Sequence, residues 1–574
     1  MPSTRTFPSL RPDPGALVAL VITALLLTAA DPRAADAQQP RDEPQGTRED
    51  LFTHSAPFRI QIEIGEKEME ILRDYHWRGW GGASSSERPS VKATVKEGGR
   101  IYKDVSIHMK GAAGSFRPID DNPALTLHFD KHVKGQTFHG LKRFSLNNSV
   151  QDRSLLSEQI SREMFAQAGV PVPRATSAQV TLNGRVLGVY VLVEAFNKQF
   201  LARHFKNPNG NLYDGGFVKD ITHDLEKSSG KNPEDRADLR ALVEAAAEPD
   251  LTQRLARLEK LLDLDRFITF MALDVMTCNW DGYSMNRNNY RLYHDPDSDK
   301  IVFMPHGLDQ MFGVARASPN MPLFPRMSGL VANAAMQIPE VRKRYRERVS
   351  QLMTRVYQVQ SLTNRVWQLQ ARLQPLLSEG NSSPDGGASN RRAVALLCQR
   401  ISRRAESIND QLLAPSRVLK FDAGGVARFT NWNSRAEFGK PTLDRITEPG
   451  GKTLLHISAP AGSCVGSWFT KVQLEPGRYR FEARVRTRGV TADPGDRKGG
   501  AGLRVTDRRS LDKLLNDNAW RDIAFEFETL GAQADFGFMA PIQDADPTIE
   551  LICELRAAKG EAWFDPDSLR LIKK

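Results

Sequence analysis

Asn279-Trp280-Asp281-Gly282-Tyr283-Ser284-Met285-Asn286-Arg287-Asn288-Asn289-Tyr290 is the stretch on which the reading of this chain turns. It follows a helix-periodic run, Asp265 to Asn279, whose apolar face is Phe267, Phe270, Met271 and Val275. One carboxylate, Asp281, therefore stands among amides where a buried helix stops. Just beyond it, Asn289 to Tyr293 and Ile301 to Met304 alternate as strands about the turn Asp295-Pro296-Asp297-Ser298-Asp299. The second strand runs into Met304-Pro305-His306-Gly307-Leu308-Asp309-Gln310-Met311-Phe312-Gly313, so another acid, Asp309, follows a strand end. Helix, acid, hairpin and acid in this order predict an α+β core built round a site.

Asp281 and Asn286 have the D-x4-N spacing of a kinase catalytic loop, in which the Asp accepts a hydroxyl proton and the Asn holds a metal ion. The same residue types also serve as plain caps and turns. An Asp after a strand, with Phe-Gly behind it, is where phosphotransferases place a magnesium-binding carboxylate, and Asp309 fits that position. Magnesium keeps several waters, so one or two carboxylates plus substrate phosphates suffice. His306 is open to three roles: an aromatic surface, a metal ligand, or a locally hydrogen-bonded ring. No H-E-x-x-H or similar spacing occurs among the 11 His, which leaves a zinc hydrolase unsupported.

Upstream, strict alternation in Arg59-Ile60-Gln61-Ile62-Glu63-Ile64 predicts a half-buried strand, and Lys67 to Tyr75 a short helix. Further strands are expected at Val91–Val95, Val105–Met109, Leu125–Phe129 and Arg143–Leu146. Met109-Lys110-Gly111-Ala112-Ala113-Gly114-Ser115 follows one of them with small residues whose amides can approach phosphate oxygens; it is not a Walker A motif. Lys142 and Arg143 add cations. Asp152 to Ala168 turns helical and ends at Gly169 and Pro171. Asn183-Gly184 between apolar runs signals a hairpin. Glu194 closes its second strand, where a carboxylate can orient a phosphate-binding lysine or make a surface ion pair.

Helices are expected at Asp235–Ala247 and Leu251–Leu262, and two long Arg-rich ones at residues 340–375 and 391–413, parted by a loop at 379–390. From about Val418 short strands and turns such as Glu475-Pro476-Gly477 indicate an all-β sandwich over 416–574. At the other end, Arg5 and Arg11 precede an apolar run from Gly15 to Ala30, and Ala35-Asp36-Ala37 offers a cleavage site. Residues 1–37 read as a signal peptide or, alternatively, an uncleaved anchor, and 38–55 as a flexible leader. Residues 1–37 hold as many Arg as Asp, so their removal leaves the net charge at +10. An exported protein with no later membrane span is expected. The 79 Lys+Arg and 69 Asp+Glu are interspersed without a basic stripe, so no nucleic-acid partner is expected. The four Cys lack a CxxC pair; they read as buried thiols, with Cys464–Cys553 a pairing that export permits.

Six motifs in order now carry a resemblance: Lys110 to Ser115, Lys142 to Asn147, Asp152 to Ser154, Gly188 to Glu194, Asn279 to Tyr293, and Pro305 to Gly313. Together they resemble the CotH spore-coat protein kinase family over residues 56–412. The resemblance implies an atypical minimal protein-kinase-like core with a helical tail, which uses ATP and Mg or Mn to phosphorylate protein Ser or Thr. It implies Asp281 as the catalytic Asp and Asp309 as a metal ligand, with Asn286 or Asn289 beside it. Lys110, Ser115, Lys142 and Arg143 would lie at the phosphates, with Glu194 orienting a lysine. The family's P-W-D-x-D reads here Pro305-His306-Gly307-Leu308-Asp309. The C-terminal segment resembles a jelly-roll carbohydrate-binding module, through Leu474 to Val485 and Gly560 to Asp565, and implies polysaccharide as a second partner. Trp468 and Trp563 could stack on sugars or fill the core. A non-catalytic surface or envelope protein that keeps the scaffold is the competing expectation.

Overall fold

The computed structural model describes residues 51–574 except 53–56, 78–87, 379–386, 414–417, 461, 476, 494–497, 507, 511 and 530–547. The expected signal peptide, and the leader apart from residues 51 and 52, lie outside the described residues. The described residues belong to one compact unit, Asp50–Lys574. It is mixed α+β. None of its described helices is long and apolar enough to cross a membrane.

Seven strands close a barrel: β1 (Phe58–Glu63), β2 (Ser90–Glu97), β3 (Arg100–Lys110), β4 (Ala124–His128), β5 (Arg143–Asn147), β6 (Ala175–Leu182) and β7 (Arg185–Glu194). Their alternation puts Ile60, Ile62, Val105, Ile107, Leu127 and Phe144 inside. Neighbours pair antiparallel except at the seam, where β1 runs parallel to β6 with Ile60 opposite Val180. Asn183-Gly184 makes the expected hairpin between β6 and β7. Helix α1 (Glu66–Arg73) follows β1, and α2 (Ser157–Gln167) lies between β5 and β6.

After β7 come α3 (Lys198–His204), β8 (Asn211–Asp214), β9 (Glu226–Ser229), α4 (Ala237–Ala247), α5 (Leu251–Leu261), α6 (Leu264–Met276), α7 (Tyr283–Asn286), β10 (Tyr290–Asp295) and β11 (Lys300–Pro305). The expected hairpin of β10 and β11 gains β8 and β9 to make a four-stranded sheet. Four helices follow: α8 (Leu330–Met336), α9 (Pro339–Arg355), α10 (Val359–Ser378) and α11 (Ala388–Leu413). The expected single helix over 340–375 is thus two. The break falls where Tyr357 turns fully inward and its hydroxyl donates to the Ile401 carbonyl at 3.2 Å. Arg404 of α11 is fully buried and donates to the carbonyls of Pro319, Met321 and Val275 at 3.0, 2.6 and 3.0 Å, which ties α11 to α6 and to the segment after Gly313.

Residues 426–573 form a six-stranded and a five-stranded sheet that share one core, including Leu455, Phe481, Val485, Leu503, Leu551 and Phe564. Trp468 is buried and its indole N–H donates to the His456 carbonyl at 3.1 Å. Trp563 is also buried, beneath Arg486, Arg488 and His456. Neither ring offers a sugar an open face. All four cysteines are free thiols, so Cys464 and Cys553 do not pair.

Candidate active site

Lys110 sits at the end of β3, and Gly111, at φ +100°, turns the chain away; a Cβ there would stand 3.0 Å from the Phe116 backbone. The turn beyond it closes on itself. The amides of Ser115 and Phe116 both donate to the Ala112 carbonyl, and the Ala112 amide donates to Ser115 Oγ at 3.1 Å. Ser115 therefore fastens the turn, and these three amides are not presented to a phosphate. Lys110 Nζ donates to Asn147 Oδ1 at 2.6 Å, and Asn147 Nδ2 donates to Glu158 Oε2 at 2.7 Å. Asp152 braces the turn that leads to Glu158: its carboxylate takes the amides of Ser154 and Ser157 at 2.9 and 2.8 Å, just where α2 begins.

Glu158 is buried against an equally buried Arg162 at 2.7 Å. Burial raises its pKa, yet Arg162, Asn147 and Lys110 together hold it below the usual carboxylate range. Burial lowers the Lys110 ammonium to about 8, against the pull of Glu158 and Asp309. Glu158 is thus the acid that faces Lys110. The expectation for Glu194 is corrected. Its two oxygens take the Arg203 guanidinium, and Arg174 Nε lies at 3.5 Å, because Glu194 sits where β7 leaves the barrel towards α3. Lys142 is exposed and pairs with Asp130 at 2.8 Å, away from Lys110. Arg143 is half-buried, donates to the Phe196 carbonyl at 3.1 Å, and has its pKa lowered by burial and by Arg291.

On the helical side, buried Asp274 of α6 accepts from Asn279 Nδ2 at 2.8 Å and from Ser284 Oγ at 2.7 Å, pinning both ends of the loop that carries Asp281. Arg287 and Asn289 take left-handed φ values of 55° and 51°, and the chain coils about that carboxylate. Asn286 and Asn288 donate to its Oδ1 at 2.6 and 3.1 Å, and Asn289 to its Oδ2 at 2.9 Å. A carboxylate only accepts, so each amide turns its nitrogen to Asp281 and its oxygen elsewhere. The Asn289 oxygen lies at Gly307, whose Cβ position would be 2.6 Å away.

Asp309 is half-buried near these groups. Burial raises its pKa to about 7, and Glu158, Asp152 and Asp281 add to the rise. Among the described residues it makes no ion pair, and its own backbone amide donates to its carboxylate. Such an acid, two residues along from Gly307 where the Asn289 amide oxygen lies, suits a hard divalent cation that brings its own waters. No three His, Cys, Asp or Glu among the described residues form a protein-only metal cage. His306 meets none of the three expectations in full. It packs edge-on to Phe196 at 5.8 Å, but its Nδ1 is buried without a hydrogen bond. Burial and the cations Arg291, Lys110 and Arg162 hold it neutral.

The charges that bear on Lys110 and Asp309 therefore include Glu158, Arg162, Asp152 and Asp281; Arg143 lies by Arg291, which pairs with Asp214 at 2.7 Å. Of the expected residues, Lys110, Asp281 and Asp309 lie within one electrostatic neighbourhood; Glu158 and Arg162, which belong to it as well, were not singled out in the sequence. The i,i+4 spacing of Glu158 and Arg162 was the available signal.

A family model described as CotH kinase protein matches residues 107–408. Invasin CotH3 of Rhizopus delemar is 25% identical over 261 residues, 40% of this chain and 43% of the relative, so the chain spans less than half of that protein. Inner spore coat protein H of Bacillus subtilis is 23% identical over 295 residues, 48% of this chain and 80% of the relative. Among solved structures, the Helicobacter pylori proinflammatory kinase CtkA aligns with a TM-score of 0.28 at 8% identity, over 54% of this chain and 98% of its own. With more than half its length matched by that model, the chain belongs to the CotH kinase protein family.

Proposed function

We propose that this protein is a phosphotransferase that moves the γ-phosphoryl group of ATP to a Ser or Thr hydroxyl of a protein. The carrying observation is that Glu158 and Asp309 both act on Lys110, while Asp281 acts in turn on Asp309. In this reading residues 56–412 are the kinase-like region and 416–574 a jelly-roll domain. Lys110, with Arg143, binds phosphate oxygens, and Glu158 keeps Lys110 in place through Asn147. Asp281, held by three amides, orients the acceptor hydroxyl and takes its proton. The hydroxyl oxygen bonds to the γ-phosphorus, the bond to the bridging oxygen breaks, and ADP leaves with that oxygen. Asp309, with the amide oxygen of Asn289 or Asn286, would hold Mg or Mn, which supplies charge neutralisation at the phosphates. Catalysis is then mainly positioning and charge stabilisation.

The apolar run at 15–30, and relatives named an invasin and a spore coat protein, support an exported or surface location. A polysaccharide partner would need a ring other than Trp468 or Trp563; half-exposed Trp520, beside Arg486, is the candidate. The test of the reading is Asp281→Asn in the full chain. Transfer of labelled phosphate to a mixed protein substrate should fall about 10²–10⁴-fold with the melting temperature retained. Undiminished transfer would overturn the assignment.

A further inference from the structure

We propose that Arg88 is a positioning residue that holds Lys110 in place for ATP; this rests on the phosphotransferase reading above. β2 pairs with β3 only as far as Ser90, which lies opposite His108. Continued by one step, that register brings Pro89 opposite Met109, and by two steps Arg88 opposite Lys110. Proline has no N–H, so the ladder cannot go on through the backbone there. The Arg88 side chain takes over. Its guanidinium donates from Nη1 to the Met109 carbonyl at 3.1 Å and from Nη2 to the Gly111 carbonyl at 3.2 Å. These two carbonyls flank Lys110 in the chain.

Lys110 is thereby held at both ends. Its Nζ is tied to Asn147 of β5, and its main chain is clamped by one planar fork. On the far side β4 completes the ladder, with Ala124 opposite Lys110. The clamp matters here because Gly111 follows at φ +100°, where the extended strand stops. Without Arg88 two carbonyls would lose their donors, and the strand end would fray with Lys110 on it. The Arg88 Nε is buried without a hydrogen bond, so the fork is the guanidinium's whole anchorage among the described residues. The guanidinium also brings a like charge to Lys110. With Arg162 it opposes Glu158 and Asp309, which favour the charged ammonium. Arg88 acts on ATP through Lys110 and not by touching the phosphates.

The test uses the full chain, with ATP and Mg titrated by calorimetry and transfer assayed on a mixed protein substrate. Arg88→Gln should weaken ATP binding and raise its KM about tenfold, the usual effect of losing a group that orients a ligand-binding side chain. At saturating ATP kcat should stay within about twofold, because Asp281 is untouched. Loss of the like charge should also move the fall of ATP affinity with pH above the parent's value of about 8, which a purely structural loss would not do. Arg88→Lys keeps the charge but not the fork, so it should weaken ATP binding and leave that pH in place; it also carries the test should Arg88→Gln fail to fold. Unchanged affinity in both variants, a loss confined to kcat, or a fall that stays at the parent's pH in Arg88→Gln would overturn the role of Arg88 and leave the phosphotransferase reading standing. Neither ATP binding nor transfer by the parent chain would overturn both.

Discussion

A methyl group at Gly307 would stand 2.6 Å from Asn289 Oδ1, on a backbone whose φ is +56°. Gly307→Ala should therefore cost about 1–3 kcal/mol of stability and push Asn289 off Asp281. Denaturant titration and a transfer assay would check it, and a variant as stable and active as the parent would refute the tight fit. The glycine also explains what became of the family's acid at this position: Asn289 fills the space a side chain would need. Asp281 and Asp309 were legible in the sequence because each follows the end of an apolar element, where a carboxylate has no packing role. Glu194 misled for the same reason, since a strand-end acid looks alike whether a lysine or an arginine comes to meet it.

At the scale of elements, α2 hangs on one buried pair. Glu158→Gln would leave Arg162 charged and unpaired at 2% side-chain exposure, and unfolding free energy should drop by about 3–5 kcal/mol. A double variant that removes both charges should recover part of that loss. Lys110 at the end of β3 adds a pH signature. Its pKa is lowered to about 8, so it is charged below that pH and neutral above it. ATP affinity should therefore hold below about pH 8 and decline as pH rises through that value, measured by calorimetry, while Lys110→Arg should move the decline to higher pH. Stability responds with the opposite sign. Above about pH 8 the folded chain sheds a proton that the unfolded chain keeps, so this group favours folding as pH rises towards its unfolded value near 10.5. Two-residue periodicity and Asn-Gly made the barrel strands readable. The break between α9 and α10 was not, because the contact of Tyr357 with Ile401 is a tertiary cause. The four-residue strands β8 and β9 are too short to show a period.

Across the whole molecule, buried apolar residues gather in separate clusters: inside the barrel, among the helices, and between the C-terminal sheets. Scanning calorimetry should accordingly resolve more than one transition, with ATP and Mg raising the one that involves Lys110 and Asp309 and leaving the β-sheet transition in place. A single transition that shifts as a unit would contradict this. The sequence made the succession of α+β and all-β regions readable. It did not reveal that the barrel closes, because closure depends on a pair remote in the chain: Arg59 meets Gln179 at 2.5 Å across 120 positions. That seam has a consequence in time. A ribosome adding about 5–20 residues each second needs roughly ten seconds to travel from β1 to β6. Through that interval the newborn β1 has a free backbone edge and no lasting partner on that side. The cell must either shelter it or synthesise the next hundred residues quickly, so codon usage and chaperone supply over this stretch should govern yield more than any change within the site.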